Sequence, residues 1–367
     1  MGNEYSSLKM AWWAQREGFP PAAPKQVQLI ISDLCNQDCS FCAYRMSGYS
    51  SNEMFLGDSK QAAYGTNNPV RFIPTERCLA FLDEFKRAGV LAVQFTGGGE
   101  PTVHQDHERI FARAVETGLK ASLVSNGLRW SDRLIADILP RFAWVRVSVD
   151  AGNATTYASI RRTPADNFHK VIRHVGRLAD AIKLAGSSCT LGVGYVVTPE
   201  NYKEIDSGIA VAKGTGARYI RLSAMFNPEG EAPYANIYPA IKADITEARL
   251  RYDSPAFSVV DLFGERLADL HDGAPDYRTC SYQHYTSYVG GDMRAYRCCV
   301  LAYNHRGLVD GGKDLEHTPW DVFWASEERV NDFERFDAHG CERCQFNPKN
   351  RAMSYLLDKS PGHVEFP

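Results

Sequence analysis

Three cysteines fall within one short segment, Leu34-Cys35-Asn36-Gln37-Asp38-Cys39-Ser40-Phe41-Cys42. Thiolates this close in sequence can wrap one small metal centre. Three protein ligands on a four-iron cluster leave one iron open to a further ligand, whereas structural zinc takes four closed ligands. A zinc site here needs a fourth ligand nearby, and the flanking sequence offers none. Downstream lies Thr96-Gly97-Gly98-Gly99-Glu100-Pro101. Consecutive glycines let backbone approach a ligand closely, and Glu100 offers a carboxylate to a cation such as an amino group. Alone, this segment is equally a strand-to-helix turn. Five more cysteines come late: Cys280, Cys298, Cys299, Cys341 and Cys344. Cys78, on an apolar helix face, and Cys189, at a strand start, read as core. His104 reads as a structural hydrogen-bonding residue rather than a base.

The elements that must position these groups alternate. Strands are expected at Val27–Ser32, Leu91–Thr96, Lys120–Val124, Trp144–Asp150, Thr190–Val197 and Tyr219–Ala224, each rich in branched and aromatic residues. Helical patterns lie between them: Thr75 to Ala88 between Pro74 and Gly89, then His107–Thr117, Ser131–Leu139, Phe168–Leu184 and Tyr202–Lys213. Six strand-then-helix units imply an α/β fold, a parallel sheet curled into a partial (βα)6 TIM-like barrel. Its reactive end should be the C-terminal edge of the strands. The polar stretch from Ala43 to Asn68 is too long for a simple connection and reads as a lid. After Phe226 the periodicity fades. The expected organisation is an N-terminal extension over 1–25, a barrel over 26–226 and a smaller C-terminal domain over 227–367.

Charge and composition exclude other classes. Apolar residues make up 44% of the chain, charged residues 23%, and the net charge is −3. That leaves no electrostatic case for nucleic acid or an anionic membrane surface. No apolar run approaches a membrane span and no export signal is evident, so a cytoplasmic location is expected. In a reducing compartment, grouped cysteines hold metal more often than they form disulfides.

The cysteine spacing, with Phe41 before the third cysteine and Gly98-Gly99-Glu100-Pro101 after it, resembles the radical S-adenosylmethionine superfamily over roughly Gln26 to Phe226. The resemblance implies a 4Fe–4S cluster on Cys35, Cys39 and Cys42, whose open iron binds S-adenosylmethionine. It implies that Gly98, Gly99 and Glu100 meet the cofactor's amino group and that Phe41 packs near its adenine. Val147-Ser148-Val149-Asp150 with Tyr157 to Arg161 is similar to the family segment that holds ribose or carboxylate, which nominates Ser148 and Arg161. Ser125, at the end of the third strand, is a further candidate. A low-potential electron cleaves the sulfonium, and the resulting deoxyadenosyl radical takes hydrogen from a substrate carbon. An external donor such as flavodoxin or ferredoxin would supply that electron.

The late cysteines resemble the C-terminal auxiliary-cluster module called SPASM, or its shortened twitch form. That implies a second 4Fe–4S cluster on Cys280, Cys298, Cys341 and Cys344, although zinc remains an alternative for such pairs. Neighbouring side chains in an extended segment point oppositely, so Cys298 is taken as the ligand. Cys299 is then either a core residue or a thiol hydrogen donor. The layout is similar to enzymes that oxidise amino sugars or cyclitols, and a small-molecule substrate is expected. The short segment ahead of the first strand favours the same reading. Radical epimerisation and peptide or protein modification are the enzymatic alternatives, and a zinc-binding interaction protein is the non-enzymatic one.

Overall fold

The computed structural model describes residues 7–45, 54 and 70–358. Most of the expected lid at 43–68 lies outside them. Nine strands form one sheet: β1 (Gln26–Leu29), β2 (Ala92–Phe95), β3 (Lys120–Ser125), β4 (Trp144–Ser148), β5 (Thr190–Val197), β6 (Tyr219–Ala224), β7 (Ser258–Asp261), β8 (Thr286–Val289) and β9 (Ala295–Tyr296). Their order is β7-β6-β5-β4-β3-β2-β1-β8-β9, parallel from β7 to β8, with β9 antiparallel to β8.

The six expected strands are all present in sequence order, as crossover connections of one hand require. Two further parallel strands come from beyond residue 226 and extend both edges. Neither carries an apolar run. β7 begins and ends on exposed residues, Ser258 and Asp261, and β8 is Thr-Ser-Tyr-Val behind a one-turn helix, Tyr282–Tyr285. Only pairing with β6 and β1 makes them strands.

The helix Thr75–Ala88 shows how the outer layer is fixed. Pro74 precedes it, and Gly89 ends it at φ 91°, a left-handed cap that favours glycine. Its inner face buries Cys78, Phe81, Leu82 and Phe85. Glu84 is buried too. It receives Arg77 at 2.6 and 2.9 Å and the Trp320 backbone N–H at 2.7 Å, which docks the C-terminal helix Trp320–Ala325 on the barrel wall. Elsewhere the bounds move. The expected Ser131–Leu139 helix is a π turn, Leu134–Ile138, followed by a 3₁₀ turn, Leu139–Arg141, where Pro140 removes a helical donor.

The strands depart from the all-apolar pattern of parallel sheets in one respect. Val145 and Val147 pack outward on β4, whereas Trp144, Arg146 and Ser148 face the inside of the barrel and line open space there. β5 supplies Gly192 and Gly194 between Arg146 on one side and Tyr219 and Arg221 on the other. A Cβ on Gly192 would lie 2.1 Å from the Tyr219 ring, so glycine is what lets that ring cross the strand. No helix among the described residues is long and apolar enough to cross a membrane.

Candidate functional site

The loop from Cys35 to Cys42 leaves the end of β1 and is gripped from three sides. Gly99 N–H donates to Ser32 O at 3.1 Å and Glu100 N–H to Leu34 O at 2.9 Å. A Cβ on Gly99 would sit 2.2 Å from Leu34 O, so this contact requires glycine. On the second side, the helix Ala154–Arg161 offers its unpaired C-terminal carbonyls: Ser40 N–H donates to Ile160 O at 2.8 Å, and Asp38 N–H to Arg161 O at 3.3 Å. On the third, Arg45 pairs with Asp38 and donates to Gln37 O and Cys39 O at 3.2 and 3.4 Å. Asn126 Nδ2 adds a 2.7 Å bond to Asn36 Oδ1.

The three thiols open on a cavity of about 190 Å³ that they share with Gly97, Gly98, Gly99, Glu100, Ser125, Ser148 and Arg161. Residues read separately along the sequence therefore meet at one place. Their availability differs. Glu100 is buried, and its Oε1 accepts from Thr102 N–H at 3.1 Å, Thr102 Oγ1 at 2.7 Å and Ser125 Oγ at 2.7 Å, while Oε2 accepts from Asn126 N–H at 2.7 Å. Ser125 Oγ is fully used, since it also accepts from Gly127 N–H and Trp130 Nε1–H at 3.0 and 3.2 Å. It holds Glu100 and the following turn.

Arg161 is buried and paired with Asp150, whose backbone is left-handed at φ 60°, and it donates to Gln37 Oε1 at 2.8 Å. Its Nε is buried without a partner, leaving a donor unused. The Ser148 hydroxyl lines the same cavity. Phe41 does not line it; its ring centroid lies 5.8 Å from the Arg161 guanidinium, packed partly against the core. The sequence reading missed Arg45, Asn126 and Gln37, which are ordinary polar residues until the loop is folded. Asp150 closed the quoted Val-Ser-Val-Asp segment but was given no role.

The thiols suit a polynuclear metal centre. Burial pushes Cys42 up to about 12 and Cys35 upward as well, each helped by the neighbouring Cys39. Such thiols ionise only when a metal supplies the missing positive charge. Among the described residues, no three cysteine sulfurs lie within 4.8 Å of one another. A single zinc ion with bonds of about 2.3 Å would draw them closer than that. A four-iron cluster accepts the wider spacing.

The C-terminal cysteines also gather. Burial raises Cys280, Cys298, Cys341 and Cys344, and Cys280 is raised further by Cys344 and Cys341, Cys298 by Cys299, Cys280 and Cys344. Tyr277 O–H and Phe346 N–H point at Cys344 Sγ at 3.2 and 3.3 Å, and Asn350 Nδ2 at Cys280 Sγ at 3.9 Å. Cys298 packs with Cys280 beside Tyr282 and Phe346. Cys299 points elsewhere, accepts from Gln345 Nε2 at 2.9 Å and lines a second cavity. Cys78 and Cys189 are core residues. His104 is locked as a neutral ring, with Nε2 on Ile73 O at 2.9 Å and Nδ1 accepting from Asp106 N–H at 3.1 Å.

That second cavity, of about 580 Å³, occupies the inside of the barrel. Its walls include Gln28, Gln94, Trp144, Arg146, Arg221 and Cys299. Tyr44 and Thr96 line both spaces, so the two adjoin.

Comparison with known proteins agrees with this geometry. The chain is 28% identical over 192 residues to the mycofactocin maturase MftC of Mycolicibacterium smegmatis, covering 52% of this chain and 45% of that protein. It is 26% identical over 164 residues to the S-adenosylmethionine-dependent nucleotide dehydratase of Selenomonas ruminantium, covering 44% and 51%. It is 24% identical over 190 residues to the PqqA peptide cyclase of Granulibacter bethesdensis, covering 49% and 48%. The matches thus span about half the length of these relatives. The fold is that of Streptococcus suis SuiB, solved with its precursor peptide SuiA, at TM-score 0.60 and 13% identity over 89% of this chain and 70% of that one. Residues 29–207 match the family described as the radical SAM superfamily. Residues 29–207 are thus a radical SAM domain, and enzymes of that superfamily use a 4Fe–4S cluster and S-adenosylmethionine.

Proposed function

We propose that the chain is a peptide-modifying radical S-adenosylmethionine enzyme that holds one residue of its substrate in the barrel cavity and takes hydrogen from a carbon facing the cofactor pocket. One observation carries this reading: Tyr44 and Thr96 form a wall common to both spaces, so a group bound in the larger cavity abuts the smaller. Cys35, Cys39 and Cys42 would hold the cluster, which when bound would supply the electron for reductive cleavage of S-adenosylmethionine. Gly97, Gly98 and Gly99 would let the cofactor lie close to backbone, and Glu100 would offer its ammonium a negative charge. Ser148 and the unused Arg161 donor orient its remaining polar groups. The barrel walls keep water from the reacting carbon.

The maturase and peptide cyclase among the relatives favour a peptide over the amino sugar or cyclitol that the layout alone suggested. Small-molecule chemistry is favoured by the nucleotide dehydratase and by the probable GTP 3',8-cyclases among the relatives. The C-terminal segments that carry Cys280, Cys298, Cys341 and Cys344 would act as an auxiliary module and hold a second four-iron cluster, while β7 and β8, also beyond residue 226, belong to the barrel sheet. The Tyr277, Phe346 and Asn350 donors stabilise its thiolates. The test is anaerobic iron analysis with product assay. Wild type should carry about eight irons per chain, and the triple Ala variant at Cys35, Cys39 and Cys42 about four, with no 5′-deoxyadenosine formed. Synthetic peptides should stimulate 5′-deoxyadenosine formation where amino sugars and nucleotides do not; the reverse pattern overturns the peptide reading.

A further inference from the structure

Among the described residues, two guanidiniums inside the barrel have no carboxylate to neutralise them. Arg146 comes from β4 and Arg221 from β6, on either side of the glycine positions of β5. A Cβ at Gly194 would stand 3.6 Å from Arg146 Cδ, so glycine leaves the space between the two stems open. Both line the 580 Å³ cavity. Among the described residues neither forms an ion pair. Arg146 is acted on by its own burial, by the Tyr219 phenol and by the Trp144 ring, whose centroid lies 5.5 Å from its guanidinium, and none of these carries a full negative charge. Those that act on Arg221 are Arg146, burial, Arg266, Tyr219 and Cys299, with no carboxylate among them. The remaining charges on the wall are Arg266, paired with Asp269 at 3.2 Å, together with Glu265 and Lys349. Four cations thus face two carboxylates, and one of those two is already taken.

Both guanidiniums are half-buried, and like charges held close together in a partly enclosed cavity cost free energy that a bound anion removes. A guanidinium is planar and offers paired donors that match a carboxylate or phosphate edge. Arg221 is held well below the usual arginine range, first by the Arg146 charge and then by burial, and burial lowers Arg146 too.

We propose that Arg146 and Arg221 bind an anionic group of the substrate, a carboxylate or a phosphate, and thereby hold the substrate against the cofactor pocket. This rests on the barrel cavity being the substrate site. It adds a requirement: whatever is modified carries an acid near the reacting carbon.

The test uses isothermal titration of anaerobically reconstituted holoprotein with two probes, glutarate and inorganic pyrophosphate. Wild type should bind one of them at a single site, and the preferred probe tells carboxylate from phosphate. Arg146→Gln and Arg221→Gln should each weaken that probe by about tenfold or more, the scale of a lost charge-assisted bond. Arg251→Gln, at an exposed pair with Asp206 and Glu247, should leave it unchanged. Where a Gln variant does not fold, Arg221→Lys makes the same comparison, because it keeps the charge and loses the paired donors. Failure of wild type to bind either probe, or equal affinity in the Arg146 and Arg221 variants, overturns the proposal. Probe binding that depends on Arg221, in wild-type protein that forms no 5′-deoxyadenosine, would sink the proposed function and keep the anion site. The opposite result would sink the anion site alone.

Discussion

Ser125 Oγ donates a 2.7 Å hydrogen bond to Glu100 Oε1, so the ends of β2 and β3 are joined by the same carboxylate that the Gly-Gly-Glu pattern offers to the cofactor. Asn126 N–H and both donors of Thr102 complete the set. All four donors are neutral, which leaves the negative charge of Glu100 to act on a cation in the pocket.

Glu100→Gln should therefore have two effects. The amide turns an N–H group toward one of the present donors, which should cost about 1–3 kcal/mol of stability. The lost charge should also weaken S-adenosylmethionine binding. Denaturant titration of the cofactor-free protein reads the first effect separately from the second. Unchanged stability would show that the Ser125 and Asn126 bonds do not hold the turn.

Gly99→Ala brings a methyl group to 2.2 Å from Leu34 O, a backbone atom that cannot swing away. The strand end or the cysteine loop must shift. A loss of about 1–3 kcal/mol is expected, together with loss of the first cluster's iron while the second is retained. Iron content with full occupancy in the Ala variant would contradict the close approach.

Cys298 and Cys299 face different surroundings, one beside Cys280 and the other on the barrel cavity. Cys298→Ala should therefore lower iron by about four per chain, and Cys299→Ala should leave it unchanged. Equal iron loss in both variants would mean that the two sulfurs are interchangeable. The Cys299 variant also separates oxidation from epimerisation. Loss of product while cofactor cleavage continues would identify Cys299 as the hydrogen donor.

His284 lies between the rings of Phe19 and Phe333, each 5.1 Å away. Burial, then the charges of Arg329 and Arg297, hold its pKa down at about 4 against an ordinary 6.5. Between those values the unfolded chain takes up a proton that the folded chain refuses, so stability falls as pH drops through this window and is flat above it. The loss should reach about 1 kcal/mol by pH 5.5. His284→Phe removes that contribution. Denaturation at pH 7.5 and 5.5 should show a smaller difference in the variant, and an identical difference would mean that the ring is already accessible to protons.

The ligand spacing of Cys35, Cys39 and Cys42, the glycine run before Glu100, and the strands β5 and β6 to the residue were all legible in the sequence. Each is encoded over a few neighbouring residues, through spacing, apolar runs or the cap at Gly89. What the tertiary structure alone decided lies between distant positions. The C-terminal carbonyls of Ile160 and Arg161 grip a loop more than a hundred residues earlier. β7 and β8 exist because β6 and β1 offer them edges, since neither has an apolar pattern of its own. Cys298 and Cys299 are distinguished only by which cluster of side chains each one meets. Nothing in the sequence singles out Arg146 and Arg221, each a single charge within a strand rich in branched and aromatic residues. The fold brings both side chains to the inside of the barrel, where the glycines of β5 lie between two guanidiniums that face one cavity and have no carboxylate partner among the described residues.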